Sequence, residues 1–269
     1  MPILLTFIFG TIIGSFLNVV IYRYGSGRSI GGRSGCSTCG RDLAWFEMVP
    51  LLSFVLLEAK CRKCKTHISW QYPVVELVTG LVFTALYIKF QYLVSFGIIS
   101  DMLLYWLVFS LLMVIAVYDL RHKIIPDGMV YFFALLAFIA LFFNLAGGYI
   151  TIPSIWSIIA GPILALPFFL MWLVSGGRWI GLGDAKLALG IGFLLGLTQG
   201  VAALLLAFWI GAILGIAMVV IGNISGSLSA KKQVTLRTEI PFAPFMILGV
   251  FVVFIFGIDI YTIASWFQF

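Results

Sequence analysis

Charge is the scarcest property of this chain. Of 269 residues, 16 are Lys or Arg, 10 are Asp or Glu and two are His, so about one residue in ten is charged. A soluble domain carries roughly 25% charged residues, so a chain this poor in them lacks the surface that water demands. Thiols are as rare. The four cysteines all lie between residues 36 and 64. No basic stretch precedes the first apolar segment and no small-x-small site follows it, which argues against a removable signal peptide. No basic stripe is interleaved with exposed aromatics, which argues against a nucleic-acid partner. The apolar segments do not alternate with polar residues, which excludes a β-barrel. No internal repeat stands out, which lowers the case for an inverted-repeat transporter.

What the chain has in abundance is oil. It is 62% hydrophobic with mean hydropathy +1.16. A spanning helix needs about 20 mostly apolar residues, and about eight segments qualify: 2–22, 73–94, 99–119, 127–147, 152–174, 184–198, 200–222 and 243–266. Lipid forces backbone groups to pair within a segment. The expected class is therefore an all-α polytopic membrane protein, about eight transmembrane helices with a small polar lobe between the first and second. Arg23, Arg28, Arg33 and Arg41 follow the first segment, so the N-terminus is expected outside. Eight spans from that start place 23–72, 120–126, 175–183 and 223–242 on the cytoplasmic side. Those stretches and the adjoining helix ends hold every Lys and Arg except Lys89. The formal net charge of +6 is then mostly a topology signal, with attraction to anionic lipid a modest addition.

The polar lobe, 23–72, carries Cys36-x-x-Cys39 and Cys61-x-x-Cys64. Two such pairs about twenty residues apart have the spacing of a closed tetrahedral zinc site. In a reducing compartment metal binding is favoured over disulfides. Gly35 and Gly40 flank the first pair and let the backbone turn tightly. Lys60, Arg62, Lys63 and Lys65 offset the charge of a tetrathiolate centre. Four sulfurs leave no open position, so the expected zinc is structural. The alternative is two separate reduced thiol pairs, and His67 reads as a solvated surface residue.

Ionisable residues at membrane segments are costly and each is a functional candidate. Here they are Glu76, Asp119, Asp127 and Asp184. Two spans separate Asp119 from Asp184, so both are expected at the cytoplasmic face. Two adjoining carboxyls can share a proton, one acting as base on water while the other polarises a carbonyl. Blander roles compete. Asp127, after Pro126, reads as a helix cap. Asp184, after Gly181-Leu-Gly183, also reads as a cap, and Asp119 as an ion-pair partner of Arg121 or Lys123. If both aspartates act, their positions at a helix start and a helix end suggest Asp184 as base and Asp119 as acid. Elsewhere, Gly10-x-x-x-Gly14 and Gly211-x-x-x-Gly215 are expected to let helices approach. Asn18 is expected to bond to another helix, Gly176-Gly177 to form a flexible inward turn, and 223–239 a solvated loop.

Several stretches together resemble the bacterial prepilin peptidases, the type IV leader peptidase family. They are Gly14-Ser-Phe-Leu-Asn18-Val-Val-Ile-Tyr-Arg23, the two cysteine pairs around Trp45-Phe-Glu47-Met-Val-Pro50-Leu-Leu-Ser53, Tyr72-Pro73-Val-Val-Glu76, Asp119 through Ile125-Pro126-Asp127, Gly181-Leu-Gly183-Asp184, and Ile240-Pro241-Phe242-Ala-Pro244-Phe245. The resemblance implies a membrane aspartic endopeptidase. It would cut the basic leader from type IV prepilins and pseudopilins after a glycine at the cytoplasmic membrane face, with Asp119 and Asp184 as the catalytic pair. It also implies S-adenosylmethionine-dependent methylation of the new N-terminus, by donor-binding residues that the sequence does not identify. The domains would be a first transmembrane helix (1–22), a cytoplasmic zinc-binding domain (23–72) and a transmembrane peptidase core (73–269), all in the bacterial inner membrane. Two departures stand out: the segment before Cys36 is short, and Glu58-Ala59 stands where relatives often carry glycine. A peptidase without methylation, a zinc-lobed membrane scaffold and a small proton-coupled transporter are the competing readings.

Overall fold

The computed structural model describes residues 1–91, 98–142, 152–225 and 241–266. Among them the chain is helical with no strand, only isolated bridges in the polar lobe. The helices are α1 (Pro2–Arg23), α2 (Leu52–Leu56), α3 (Gln71–Phe90), α4 (Ile98–His122), α5 (Asp127–Ala140), α6 (Ile155–Ser175), α7 (Leu182–Ser225), α8 (Ala243–Phe256) and α9 (Ile260–Ser265), with a 3-10 turn at Trp45–Met48.

Five of these helices are long and apolar enough to cross a membrane, and α5 and α8 are shorter apolar helices. The expected spans 184–198 and 200–222 fall on one continuous element, α7, interrupted only at Gly196 (φ 73°, ψ −174°). That backbone conformation suits glycine, and nothing lies within 4 Å of where its Cβ would be. The expected span 243–266 is not a single helix. Gly257 ends α8 in the left-handed conformation (φ 67°). Asp259 then starts α9, its Oδ1 accepting from the Thr262 amide at 2.7 Å. The ends of the expected spans at 92–94 and 143–147, and the loop from 226 to 240 with Lys231, Lys232, Arg237 and Ile240, lie outside the described residues.

The chain divides into two compact units within α4, between Val114 and Ile115. In the first, α1 packs on α3 where side chains are smallest. A Cβ on Gly14 would stand 2.7 Å from the Cα of Glu76, and one on Gly10 would stand 2.8 Å from the Cα of Gly80. Asn18, fully buried, joins the two helices as expected: its Nδ2 donates to the Tyr72 carbonyl at 3.2 Å, and its Oδ1 accepts from Gln71 Nε2 at 3.4 Å. Hydroxyls on these helices fold back onto their own backbones, Thr79 onto the Val75 carbonyl at 2.7 Å and Thr6 onto Pro2 at 2.8 Å. No side-chain polar group is then left to lipid at those positions. The start of α4 closes the cluster, with Trp106 stacked on Phe83 at 4.9 Å between centroids.

In the second unit α7 is the hub. The Phe133 ring of α5 occupies the space a Cβ on Gly190 would need, and the backbone of Gly161 on α6 fills that beside Gly192. Gly249 of α8 is pressed in the same way against the Ala203 carbonyl of α7, and Gly211 lies against the Phe245 ring. The expected turn after α6 is a left-handed double glycine, Gly176 (φ 59°) and Gly177 (φ 79°), whose amides return to Leu173 and Trp172. This is a standard helix stop.

Replacing Gly14 with Val forces α1 and α3 apart. A destabilisation of about 1–3 kcal/mol is expected from overpacking. A lower melting temperature of the solubilised protein would show it, and an unchanged one would refute this packing.

Candidate active site and metal centre

The metal-ligand cluster is built from two knuckles of the same shape. In the first, the Gly40 amide donates to the Cys36 carbonyl at 2.9 Å and the Cys36 amide to the Arg41 carbonyl at 2.9 Å. In the second, Lys65 donates to Cys61 at 2.9 Å and Cys61 to Thr66 at 2.8 Å. The residue after each pair is left-handed, Gly40 at φ 68° and Lys65 at φ 58°. The second knuckle therefore lacks the glycine that the first has, and holds a lysine in a conformation costing roughly 1–2 kcal/mol.

The four sulfurs lie within 4.8 Å of one another, with Cys36 and Cys64 3.7 Å apart. A tetrahedral site with Zn–S of about 2.3 Å places its sulfurs about 3.8 Å apart, so the cluster suits that ion. The Thr66 hydroxyl, then its amide, hold the Cys64 thiol down at about 6. The amides of Cys39 and Thr38 lower Cys36 in the same way. His67 is exposed, as expected.

Glu47 fastens the lobe from within. The residue is 6% exposed, and its carboxylate accepts from the Ala44 amide at 2.8 Å and from Arg41 Nη2 at 2.6 Å. The Ala44 amide and the Arg41 guanidinium hold this carboxyl below the usual range, against the opposing pull of burial. Glu76, expected as a functional candidate, also does structural work: its Oε2 accepts from the amide of Leu51 at 2.8 Å. Leu51 is itself left-handed at φ 61°, which lets its amide point at α3.

The two aspartates lie in the second unit, and both are buried. Asp119, 4% exposed, is in the last turn of α4; Asp184, 9% exposed, is in the first turn of α7. The link between these helix ends is tight. Lys123, left-handed at φ 56°, ends α4 by donating to the Asp119 carbonyl at 2.7 Å. The following Ile125 fills the space beside Gly183, where an added Cβ would meet its side chain at 2.8 Å. Asp184 folds back onto the Gly181 amide and feels the charge of the Asp119 carboxyl directly. Arg121 and Lys123 are exposed, while Asp119 is not.

Two features escaped sequence reasoning. The first is the backbone amide of Ala243, at the start of α8, which bonds to Asp119. Asp119 thus faces a helix N-terminus as well as ending a helix, so helix ends alone do not separate the two carboxyls. The signal in the sequence was Pro241-Phe-Ala-Pro244, a punctuated helix start. The second corrects the reading of Asp127. It makes no cap bond: Pro126 is the N-cap of α5 and has no side-chain acceptor. Instead its Oδ1 accepts from Lys186 Nζ at 2.7 Å, and that ammonium also lies 4.9 Å from the Tyr131 ring. The pair joins the starts of α5 and α7, two residues beyond Asp184.

Comparison with known proteins follows the same two parts. The profile of the Bacterial Peptidase A24 N-terminal domain matches residues 8–90, and that of the type IV leader peptidase family matches residues 106–216. The chain is 35% identical over 257 residues to the prepilin leader peptidase/N-methyltransferase of Bacillus subtilis (strain 168), covering 93% of each protein. It is 45% identical over 124 residues to that of Myxococcus xanthus (strain DK1622), covering 46% of this chain and 35% of the relative. It is 29% identical over 281 residues to that of Aeromonas salmonicida (strain A449), covering 94% and 90%. No solved structure matches.

The Glu47 contacts predict an acid-sensitive lobe. Its folded pKa lies below the unfolded value of about 4.3, so the unfolded state binds the extra proton near pH 4. The contribution is complete above that value and fades as pH falls through the folded one. The variant Glu47→Gln should melt at a lower temperature than the parent at pH 7 and converge with it near pH 3. Parallel pH curves would contradict the assignment.

Proposed function

The chain belongs to the type IV leader peptidase family, and from this premise we propose that it is a membrane aspartic endopeptidase of type IV prepilins and pseudopilins. It cleaves the short basic leader after a glycine, where the substrate's own membrane helix meets the cytoplasm. The observation that carries this reading is the burial of Asp119 and Asp184 beside one another at facing helix ends.

Chemistry needs two carboxyls in different protonation states around one water. The carboxylate removes a proton from water as its oxygen attacks the scissile carbonyl. The carboxylic acid donates a hydrogen bond to that carbonyl and stabilises the oxyanion. The C–N bond then breaks as the new amine takes up a proton from the dyad, which regenerates the shared proton. The backbone amides of Gly181 and Ala243 orient the two carboxyls. The Asp127–Lys186 pair lies outside this proton path and fixes helix starts.

Cys36, Cys39, Cys61 and Cys64 would hold a structural zinc, which organises the lobe and has no open position for substrate. The arrangement of Lys and Arg supports a cytoplasmic lobe and dyad with the N-terminus outside. The first helix, the lobe and a peptidase core over 73–269 are then the working parts in the inner membrane. Because several relatives are named as N-methyltransferases, we extend methylation to this chain. S-adenosylmethionine would supply the methyl group to the new N-terminal amine. The residue pair Glu58-Ala59 does not argue against this, since both are left-handed (φ 50° and 55°) and so keep the backbone turn that glycine would make.

The purified protein, mixed with a precursor bearing a basic leader, a glycine and an apolar helix, should release the leader. Asp119→Asn and Asp184→Asn should each reduce the rate by at least about a hundredfold, the lower end for a general acid or base. Asp127→Asn should retain most activity. Mass spectrometry of the product reads the cut site and any added methyl together. Normal cleavage by either dyad variant would remove the mechanism, and an unmethylated product would remove only the second step.

A further inference from the structure

The metal lobe carries an apolar surface that its own folding leaves uncovered. Within α2, Leu52 is 62% exposed, Val55 73% and Leu56 79%, while Phe54 faces inward. Trp70, 72% exposed, continues the surface, its ring 5.0 Å from that of Phe54. This is the only α-helix in the lobe among the described residues, and its exposed positions at i, i+3 and i+4 form one face.

The hydrogen bonds of the first unit give the level at which this face lies. Asn18 and Tyr22 of α1 meet Tyr72 of α3, by a 3.2 Å hydrogen bond and a stacked ring pair at 5.3 Å. The chain thus leaves and re-enters the two apolar helices at one level, and the lobe lies between. Glu76 is five residues into α3, about 7.5 Å along its axis. Helical side chains lean toward the N-terminus, so the Leu51 amide bound by Glu76 sits beside the first turn of α3. The α2 helix begins at the next residue, beside the start of the apolar span Gln71–Phe90. Around this face the lobe is cationic: residues 24–70 hold seven Lys or Arg and three Asp or Glu.

We infer that α2 and Trp70 form an interfacial anchor, which seats the lobe on the headgroup–acyl boundary of the leaflet it faces. Short apolar helices with flanking tryptophan and nearby cations bind that boundary through apolar burial and attraction to anionic lipid. The occupant is phospholipid, because the face lies beside a helix already entering lipid and because its surrounding charge complements an anionic leaflet.

The test uses the full-length protein in nanodiscs of phosphatidylethanolamine and phosphatidylglycerol. A benzophenone amino acid is placed at Leu56 or, as a control, at the exposed Lys63, and illuminated. Phospholipid adducts should be several-fold more abundant from position 56 than from position 63. Equal yields, or adducts from position 56 mainly to protein, would overturn the anchor, the latter by making the face a protein-binding surface. Metal content matching the parent certifies each variant's fold. If substitution disturbs it, the parent and Trp70→Phe are compared for tryptophan quenching by brominated lipid. Loss of a quenched component in the variant supports the anchor, and identical quenching refutes it.

Discussion

The rotation of α7 about its own axis is set by glycine, and the second unit depends on it. Gly183, Gly190 and Gly192 each lie where another element leaves no room for a β-carbon: Ile125, the Phe133 ring and the backbone of Gly161 respectively. Gly183 and Gly190, seven residues apart, share one face and Gly192 lies on the opposite one, so a helix pressed on two sides at its smallest residues has one azimuth available. Lipid offers no hydrophobic drive between helices, so such close packing is what holds them together. With that azimuth fixed, Asp184 cannot swing toward lipid. It is turned inward at the level of the α4 terminus.

Burial changes what each polar contact is worth. Away from water an unpaired charge or amide costs several kcal/mol, and three of the buried carboxyls are met by backbone amides, whereas Glu47 has both an amide and the Arg41 guanidinium. Glu76 is met by the Leu51 amide, Asp184 by that of Gly181 and Asp119 by that of Ala243. Amide dipoles hold a carboxyl in place without neutralising it, and so leave it free to exchange a proton. Lys186, two residues from Asp184, is paired with Asp127.

Much of this was legible in the sequence because lipid makes sequence unusually literal. An apolar run of the right length has few structures open to it, and a cysteine pair repeated at knuckle spacing has few uses. The positions of Asp119 and Asp184 followed from counting spans, and the bond made by Asn18 from the expense of a lone amide in a helix. What failed depended on neighbours distant in the chain. A carboxylate after proline reads as a cap, yet Asp127 is claimed by Lys186, 59 positions on. The Ala243 amide bears on Asp119 only through folding, since every residue has an amide. The break at Gly257 was hidden inside a run that hydropathy treats as uniform, as was the placing of the α7 interruption at Gly196.

One feature of α6 bears on how the second unit responds to load. Pro162 and Pro167 lie inside the helix, so the carbonyls of Ile158 and Ile163 lack the amides that would normally receive them. Phe169, four residues further on than Ala165, lines a surface hollow together with Leu182, Ala185 and Lys186 of α7. Mechanical compliance is therefore concentrated in the strut that borders the first turn of α7, while α7 has its own break further along, at Gly196.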